Sequence, residues 1–234
     1  METTTRVGKP GVAERIAQSL RGSIVKGRLR PGDALPSERE LAEKYDVNRS
    51  SVREAVKRLE AWGLVRVRHG GATRVTDFVL NAGLELLPTL VEVGGKVDPG
   101  ILRDLHEIRG MLLGWCAERA ADRADAASVL RLEEMARRMA DPEAAPEALQ
   151  ELDYDFFQDL VRITGNRMVL LLSNVIRDIY LRGRARFVSL YGREVFDPSH
   201  HRAAVEAIRR KDARSAGEAM RAHAATALAT VAKE

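Results

Sequence analysis

One stretch, Leu35 to Val75, leaves this chain few choices of fold: LPSERELAEKYDVNRSSVREAVKRLEAWGLVRVRHGGATRV. Ser37 followed three residues later by Glu40 is a capping box, in which the serine oxygen takes a backbone N–H and the glutamate reaches back to the cap amide. It predicts a short helix from Glu38 to about Tyr45, with Leu41 and Ala42 inward. Asp46-Val47-Asn48 supplies a turn, and Asn48 caps the next helix. There Val52, Ala55, Val56, Leu59 and Trp62 recur at helical spacing as one apolar face. Arg49, Ser50, Arg53, Lys57 and Arg58 take the opposite side. Gly63 can adopt the left-handed conformation that ends many helices. Leu64 to Val67 alternates as a strand, His69-Gly70-Gly71 turns, and Thr73-Arg74-Val75 returns. Helix, turn, helix and hairpin in that order predict a winged helix-turn-helix.

Such a module meets DNA with the start of its second helix, which enters the major groove. Asn48, Arg49, Ser50 and Arg53 occupy that first turn and a half, where arginine can donate two hydrogen bonds to guanine O6 and N7. Arg39 on the preceding helix is placed to reach the groove or the backbone, and His69, Gly70 and Thr73 form the contacts of the wing. A charged outer face is often merely solvated, but here cap, turn, arginines and hairpin agree. For any one arginine, a phosphate contact is the alternative to a base contact. Charge points the same way. Residues 1–77 carry 16 Lys and Arg against 10 Asp and Glu, and the remaining chain 22 against 24. The basic excess is confined to the part with the helix-turn-helix, as expected for a phosphate footprint.

PSER-x-LA, followed by V-x-R-x-x-V-R-EA-x-x-LE-x-x-G-L-V, resembles the DNA-binding domain of the GntR family of bacterial transcription regulators. The likeness extends back through GRLRPGDALPSE to the helix predicted from Val12 to about Lys26, where Ile16, Leu20 and Ile24 recur every fourth residue. The resemblance implies that Arg39, Arg49, Ser50 and Arg53 sit at DNA contacts and that His69-Gly70 is the wing tip. It also implies dimers on palindromic operators.

Beyond the wing the strand signals stop. Phe78 to Val93 reads as one linker helix with Leu80, Leu84, Leu87, Leu90 and Val91 on one side, broken by Gly94-Gly95. Helices follow over Pro99–Asp122, with Leu102, Leu105, Ile108, Leu112 and Cys116 inward, then Ala126–Ala140 and Leu149–Thr164. Gly165-Asn166 stops that helix and starts the next, Arg167 to about Val188; Pro198–Arg210 and Asp212–Ala232 complete the set. The expected architecture is mainly α: a winged helix-turn-helix over 1–77, a linker helix over 78–97, and an α-helical bundle for effector binding and dimerisation over 98–234. A single cysteine, Cys116, cannot form an internal disulfide, which fits a reducing compartment. No apolar run approaches a membrane span. The chain is expected in the cytoplasm, without a membrane partner.

LHEIRGML, LDYDFFQDLVRITGN and HHRAAVEAIRRKDARSAGEAMRAH resemble the ligand-binding half of the FadR-type branch of the same family. Most of that branch bind a metal through Asp, His, His and His, and the metal holds a small carboxylate. The matching positions here are Asp153, Phe157, His201 and His223, so a phenyl ring replaces one ligand. Three ligands plus water still allow Zn²⁺ or another divalent ion; histidines hydrogen-bonded inside the bundle are the alternative. LDYDFF, the VTDFVLNAGLELLPTLV linker and RHGGATRV are similar instead to the fatty-acid regulators of the branch, which bind long-chain acyl-CoA without metal. The last helix departs from them, with Ala222, Ala225 and Ala229 where they carry small and polar residues and a tryptophan. The effector site expected is Arg109, Asp153, Phe157, Tyr180, Arg182, His201 and His223. An enzyme built on Asp153, His201 and His223 is a poorer reading, because the sequence offers no general base or phosphate-binding glycine loop beside them.

Overall fold

The computed structural model describes residues 11–68, 71–92, 99–188, 192 and 196–231, and it is mainly α. The chain divides into two compact units, Met1–Lys96 and Val97–Glu234. No helix among the described residues is long and apolar enough to cross a membrane.

The first unit opens with α1 (Val12–Val25), whose Ile16, Leu20 and Ile24 are buried as their spacing predicts. α2 (Glu38–Tyr45) starts on the expected capping box: Glu40 N–H donates to Ser37 Oγ at 3.2 Å and Ser37 N–H to Glu40 Oε2 at 2.7 Å. It ends with Asp46 in the left-handed region, φ 51°. α3 (Arg49–Ala61) begins where Asn48 Oδ1 accepts Ser51 N–H at 2.8 Å. It ends in a Schellman motif: Gly63 N–H donates to Glu60 O and Leu64 N–H to Leu59 O, each at 2.9 Å. Leu59 and Leu64 are both fully buried. Arg58 is exposed as expected, but it is not free. It donates to Glu14 of α1 and to Glu54 one turn back, and so ties α3 to α1.

The wing is β1 (Val65–Arg66) paired antiparallel with β2 (Arg74–Val75), in register Val65 to Val75 and Arg66 to Arg74. The connection before α2 adds an edge to it. Ala34 bridges Arg74, and Leu35 N–H donates to Thr73 O at 2.8 Å. Val65 and Val75 therefore face the core under α3, while the arginines face out.

The expected single linker helix is not what forms. The segment is broken into α4 (Phe78–Asn81), a 3₁₀ turn (Leu84–Leu86) and α5 (Leu87–Glu92). Leu80 and Leu84, expected inward, are 81% and 50% exposed, whereas Leu86 is buried and Leu90, as expected, packs against the core. Asp77 caps α4 by accepting Val79 N–H at 3.0 Å, and the backbone then turns extended at Ala82 and Gly83. A four-residue helix followed by extended backbone cannot sustain a helical period, so Leu80 and Leu84 do not share the face of Leu90.

The second unit is a bundle of α6 (Pro99–Arg123), α7 (Ala126–Met139), α8 (Pro146–Thr164), α9 (Arg167–Phe187), α10 (Ser199–Arg209) and α11 (Ala213–Val231). α8 starts a turn earlier than its apolar pattern suggests because Pro146 takes the first helical position. Gly165 at φ 61° ends it, and Asn166 Oδ1 caps α9 by accepting Met168 and Val169 N–H. The inward face of α6 differs from expectation. Cys116 is buried and Leu112 packs against the core as expected, but Leu113, Ala117 and Ala120 are buried too, while Ile108 is half exposed. α6 packs against α8, α10 and α11, so it buries more than one stripe and its period does not single out a face. Small residues let it approach α11: Ala117 and Ala120 share a core with Ala216, Met220 and Ala224.

Candidate functional site

In the first unit, Arg49, Ser50 and Arg53 are exposed along the start of α3, and Arg39 is exposed on α2. Two of these guanidinium groups already have carboxylates: Arg53 Nε lies 2.7 Å from Glu38 Oε2, and Arg39 Nη1 3.4 Å from Glu43 Oε1. Such exposed pairs contribute only ~0–1 kcal/mol, so a phosphate or base edge can displace them. Asn48 Oδ1 is committed to Ser51 N–H and to the Ser50 hydroxyl. Its part is therefore first to fix the helix start that presents Arg49. Thr73 is half-buried, and its carbonyl belongs to the sheet. His69 and Gly70 lie outside the described residues.

The second unit gathers four of the expected effector residues, from four helices. Asp153 of α8 is 2% exposed and accepts on both oxygens. Arg109 Nη2 of α6 donates to Oδ2 at 2.6 Å; His201 Nε2 of α10 and His223 Nε2 of α11 stand 3.0 and 2.8 Å from Oδ1. Arg109 Nη2 also comes within 3.5 Å of His223 Nε2. Burial by itself would push the Asp153 carboxyl up, but Arg109 and the two imidazoles together hold it well below the carboxylate range. Burial pushes His223 down to about 4, with His201 and Arg109 adding to it against Asp153. At neutral pH His223 is therefore an uncharged donor to an ionised Asp153. His201 Nδ1 is buried without a hydrogen-bond partner.

Aromatic rings wall this cluster. Phe156 meets His201 edge-on at 4.9 Å, and Phe196 lies 5.5 Å from His201 and 5.9 Å from His223. Phe196 was missed in sequence; its only signal is an apolar residue directly before the capping Asp197. Phe157, one turn on from Asp153, is 3% exposed and part of the core. Tyr180 stacks on Tyr154 at 4.3 Å, between α9 and α8. The side chain of Arg182 lies outside the described residues.

The ligand atoms of Asp153, His201 and His223 fall within 4.8 Å of one another, a spacing one cation can span. The surrounding charge argues against a resident ion. Arg109 already supplies the positive partner of Asp153, and Phe157 supplies no fourth ligand. A dication ~4 Å from that guanidinium would be repelled by about 8 kcal/mol at an effective dielectric constant of 20. The set fits an arginine in the cation's place.

Comparison with known proteins places both units in families. Residues 12–75 match the model "Bacterial regulatory proteins, gntR family", and residues 104–226 match the FCD domain. The transcriptional regulator Mce2R of Mycobacterium tuberculosis is 36% identical over 202 residues, which is 86% of this chain and 84% of that one. A fatty acid metabolism regulator protein of Klebsiella pneumoniae is 32% identical over 183 residues, covering 78% and 75%. Among solved structures, Lar, described as controlling the agr system of Listeria monocytogenes, superposes with a TM-score of 0.58 at 15% identity, over 97% of this chain and 99% of that one. That last likeness concerns the fold alone.

Proposed function

We infer that this chain, which belongs to the GntR family of bacterial regulatory proteins and carries an effector-binding FCD domain, is a cytoplasmic operator-binding regulator released from DNA by long-chain acyl-CoA. The coarser part, a transcriptional regulator rather than an enzyme, rests on family membership. The acyl-CoA effector rests on one observation above the rest. Both oxygens of Asp153 already have partners, Arg109 on one and His201 with His223 on the other, so this site does not need a metal to hold its ligand. Kinship with proteins named for fatty acid metabolism supports the same reading.

In this reading a homodimer presents two α3 helices about one helical turn apart on a palindromic operator. Arg49 reads a base, Ser50 and Arg39 hold the backbone, and Arg53 exchanges Glu38 for DNA. His69 and Gly70 add the wing's contacts. Arg109 and Asp153 fix the polar end of the effector site, while Phe157, Tyr180, Arg182, His201 and His223 surround the ligand. Arginines of α9, Arg177 among them, meet the phosphates of coenzyme A. Specific binding exceeds non-specific binding by several kcal/mol, so a modest change in the spacing of two half-site contacts releases the operator. By linkage, operator DNA weakens effector binding by the same factor.

The test is fluorescence anisotropy on a duplex selected from a random pool by the wild-type protein. Palmitoyl-CoA should release it, whereas free coenzyme A, or citrate with Zn²⁺, should not. Release by citrate, together with one divalent ion per chain in native mass spectrometry, would replace this effector with a metal-held carboxylate. On the same duplex, Arg49→Ala should cost about 1–3 kcal/mol and leave binding to random DNA nearly unchanged. An equal loss on both would make Arg49 a phosphate contact.

A further inference from the structure

The hairpin of the wing has two edges, and they are closed in different ways. Arg66 pairs with Arg74 and Val65 with Val75, and Thr76 N–H donates to Leu64 O at 3.0 Å. Hydrogen-bonded and non-hydrogen-bonded pairs alternate along an antiparallel ladder, so the amides of Val65 and Val67 point away from β2, to the outer edge of β1. Backbone covers the outer edge of β2: Val75 N–H donates to Asp33 O at 2.9 Å and Leu35 N–H to Thr73 O at 2.8 Å. On the edge of β1 a side chain of α3 stands in for a strand. Glu60 Oε1 accepts the Val67 N–H at 3.0 Å, just beyond the last ladder pair. The Glu60 carbonyl accepts Gly63 N–H at 2.9 Å in the turn that ends α3. One residue thus holds the end of the recognition helix with its backbone and the outgoing strand of the wing with its carboxylate. The Thr76 hydroxyl, on the Gly63 carbonyl, fixes only the base of the hairpin. Glu60 is exposed, in the unit that carries the basic excess. A carboxylate there works against phosphate, so its service to DNA binding lies in what it holds.

We propose that Glu60 is a positioning residue for operator recognition: its carboxylate latches the wing to the recognition helix and so sets the spacing at which the two meet the duplex. The proposal rests on the regulator reading above. Without the latch Val65 and Val75 still bury under α3, and the hairpin keeps its ladder, but its outer part is free to swing. Specific binding needs helix and wing docked together, and a loose wing has to be ordered at that moment, at a cost in affinity. Non-specific binding is mostly phosphate charge and makes no such demand. Glu60 therefore contributes to discrimination without touching DNA.

The experiment uses the full chain, with the selected duplex and a random one side by side, and compares Glu60→Ala with Glu60→Gln. Both variants remove the same negative charge, but only glutamine keeps an acceptor within reach of Val67. Charge alone would make both bind both duplexes more tightly. The latch predicts otherwise. Glu60→Ala should weaken the selected duplex roughly three- to tenfold, the worth of about one net hydrogen bond, while random DNA binds as before or more tightly. Glu60→Gln should bind the selected duplex at least as well as wild type. Selected-duplex affinity undiminished in Glu60→Ala would overturn the proposal, and so would an equal loss in both variants, since the acceptor would then not be what matters. Hydrogen exchange separates a loosened wing from a damaged fold. In Glu60→Ala the Val67 amide should exchange faster while Leu64, in the turn below it, stays protected. Faster exchange at Leu64 as well would make Glu60 a folding residue and overturn the positioning role. A wild-type chain that selects no duplex from the pool sinks the regulator reading instead, and exchange at Val67 then decides alone whether Glu60 holds the wing.

Discussion

Replacing Arg109 with alanine should lower the stability of the helical unit by about 3–5 kcal/mol, the range for removing one partner of a buried ion pair. The side chain of Asp153 is 2% exposed and that of Arg109 18%, so water cannot take over the lost contact. The two imidazoles remain on Oδ1, but they do not replace the guanidinium on Oδ2. A second variant separates charge from packing. Arg109→Met combined with Asp153→Asn removes both charges at similar volume and should recover most of the loss, since buried ion pairs are often replaceable as a unit. Urea unfolding followed by circular dichroism measures both; an Arg109→Ala protein as stable as wild type would mean that the bundle does not depend on the pair.

The same cluster sets a pH dependence whose sign can be worked out. His223 titrates at about 4 in the folded unit, against 6.5 for the free side chain. Between those values the unfolded chain binds the proton and the folded one does not, so stability falls as pH drops through that window. Asp153, held well below the usual range, contributes in the same direction at lower pH. Its stabilisation is present above the unfolded carboxylate value and is lost as pH falls through the folded one. The wild-type unit should therefore be acid-labile below about pH 6.5 and nearly flat above it. Removing Arg109 takes away a cation that opposes protonation of His223, so that variant should lose stability less steeply between pH 6.5 and 4.

What could be read in the sequence follows the range of the interactions concerned. The Ser37–Glu40 box, the Asn48 cap, the Gly63 stop and the Gly165-Asn166 junction are made by neighbours in the chain, and each forms where the residues say it should. The inward face of α6 depends instead on several helices distant in sequence, so Ile108 is half exposed although Leu112 and Cys116 of the same stripe meet the core. The linker failed for a related reason: its leucines are spaced for a helix, but Asp77 and Gly83 cut the helix short before that spacing can act. Asp153, His201 and His223 come together as a family pattern, not through any periodicity. The aromatic wall around them, Phe196 above all, has almost no signature because no motif requires it. Arg66 and Arg74 read as ordinary strand residues until their register sets them opposite each other.

Gly63 joins the legible and illegible parts, and Gly63→Ala should cost the winged unit about 2–4 kcal/mol, more than a helix-ending glycine alone explains. The conformational part is visible in sequence. With φ at +68°, any side chain sits in the left-handed region, at about 1 kcal/mol. The second part is not visible. A Cβ built at Gly63 would stand 2.2 Å from the carbonyl oxygen of Asn81 and 2.7 Å from its carbon. These are backbone atoms, which cannot rotate aside as a side chain would. Either α4 must move away or the Schellman turn between Leu59 and Leu64 must open. Displacing α4 also disturbs the bond from the Thr76 hydroxyl to the Gly63 carbonyl and threatens the docking of Leu86 in the core. Hydrogen exchange can tell the two responses apart. Faster exchange confined to Ala82 and Leu86, whose amides hold this segment's turns, would show that α4 yields. Faster exchange at Leu64 would show that the end of α3 yields, and with it the seat of the wing. Asparagine tolerates the left-handed region better than alanine but carries the same Cβ, so Gly63→Asn should recover only the conformational part. Stability of Gly63→Asn equal to wild type would mean that α4 does not approach α3 at this point.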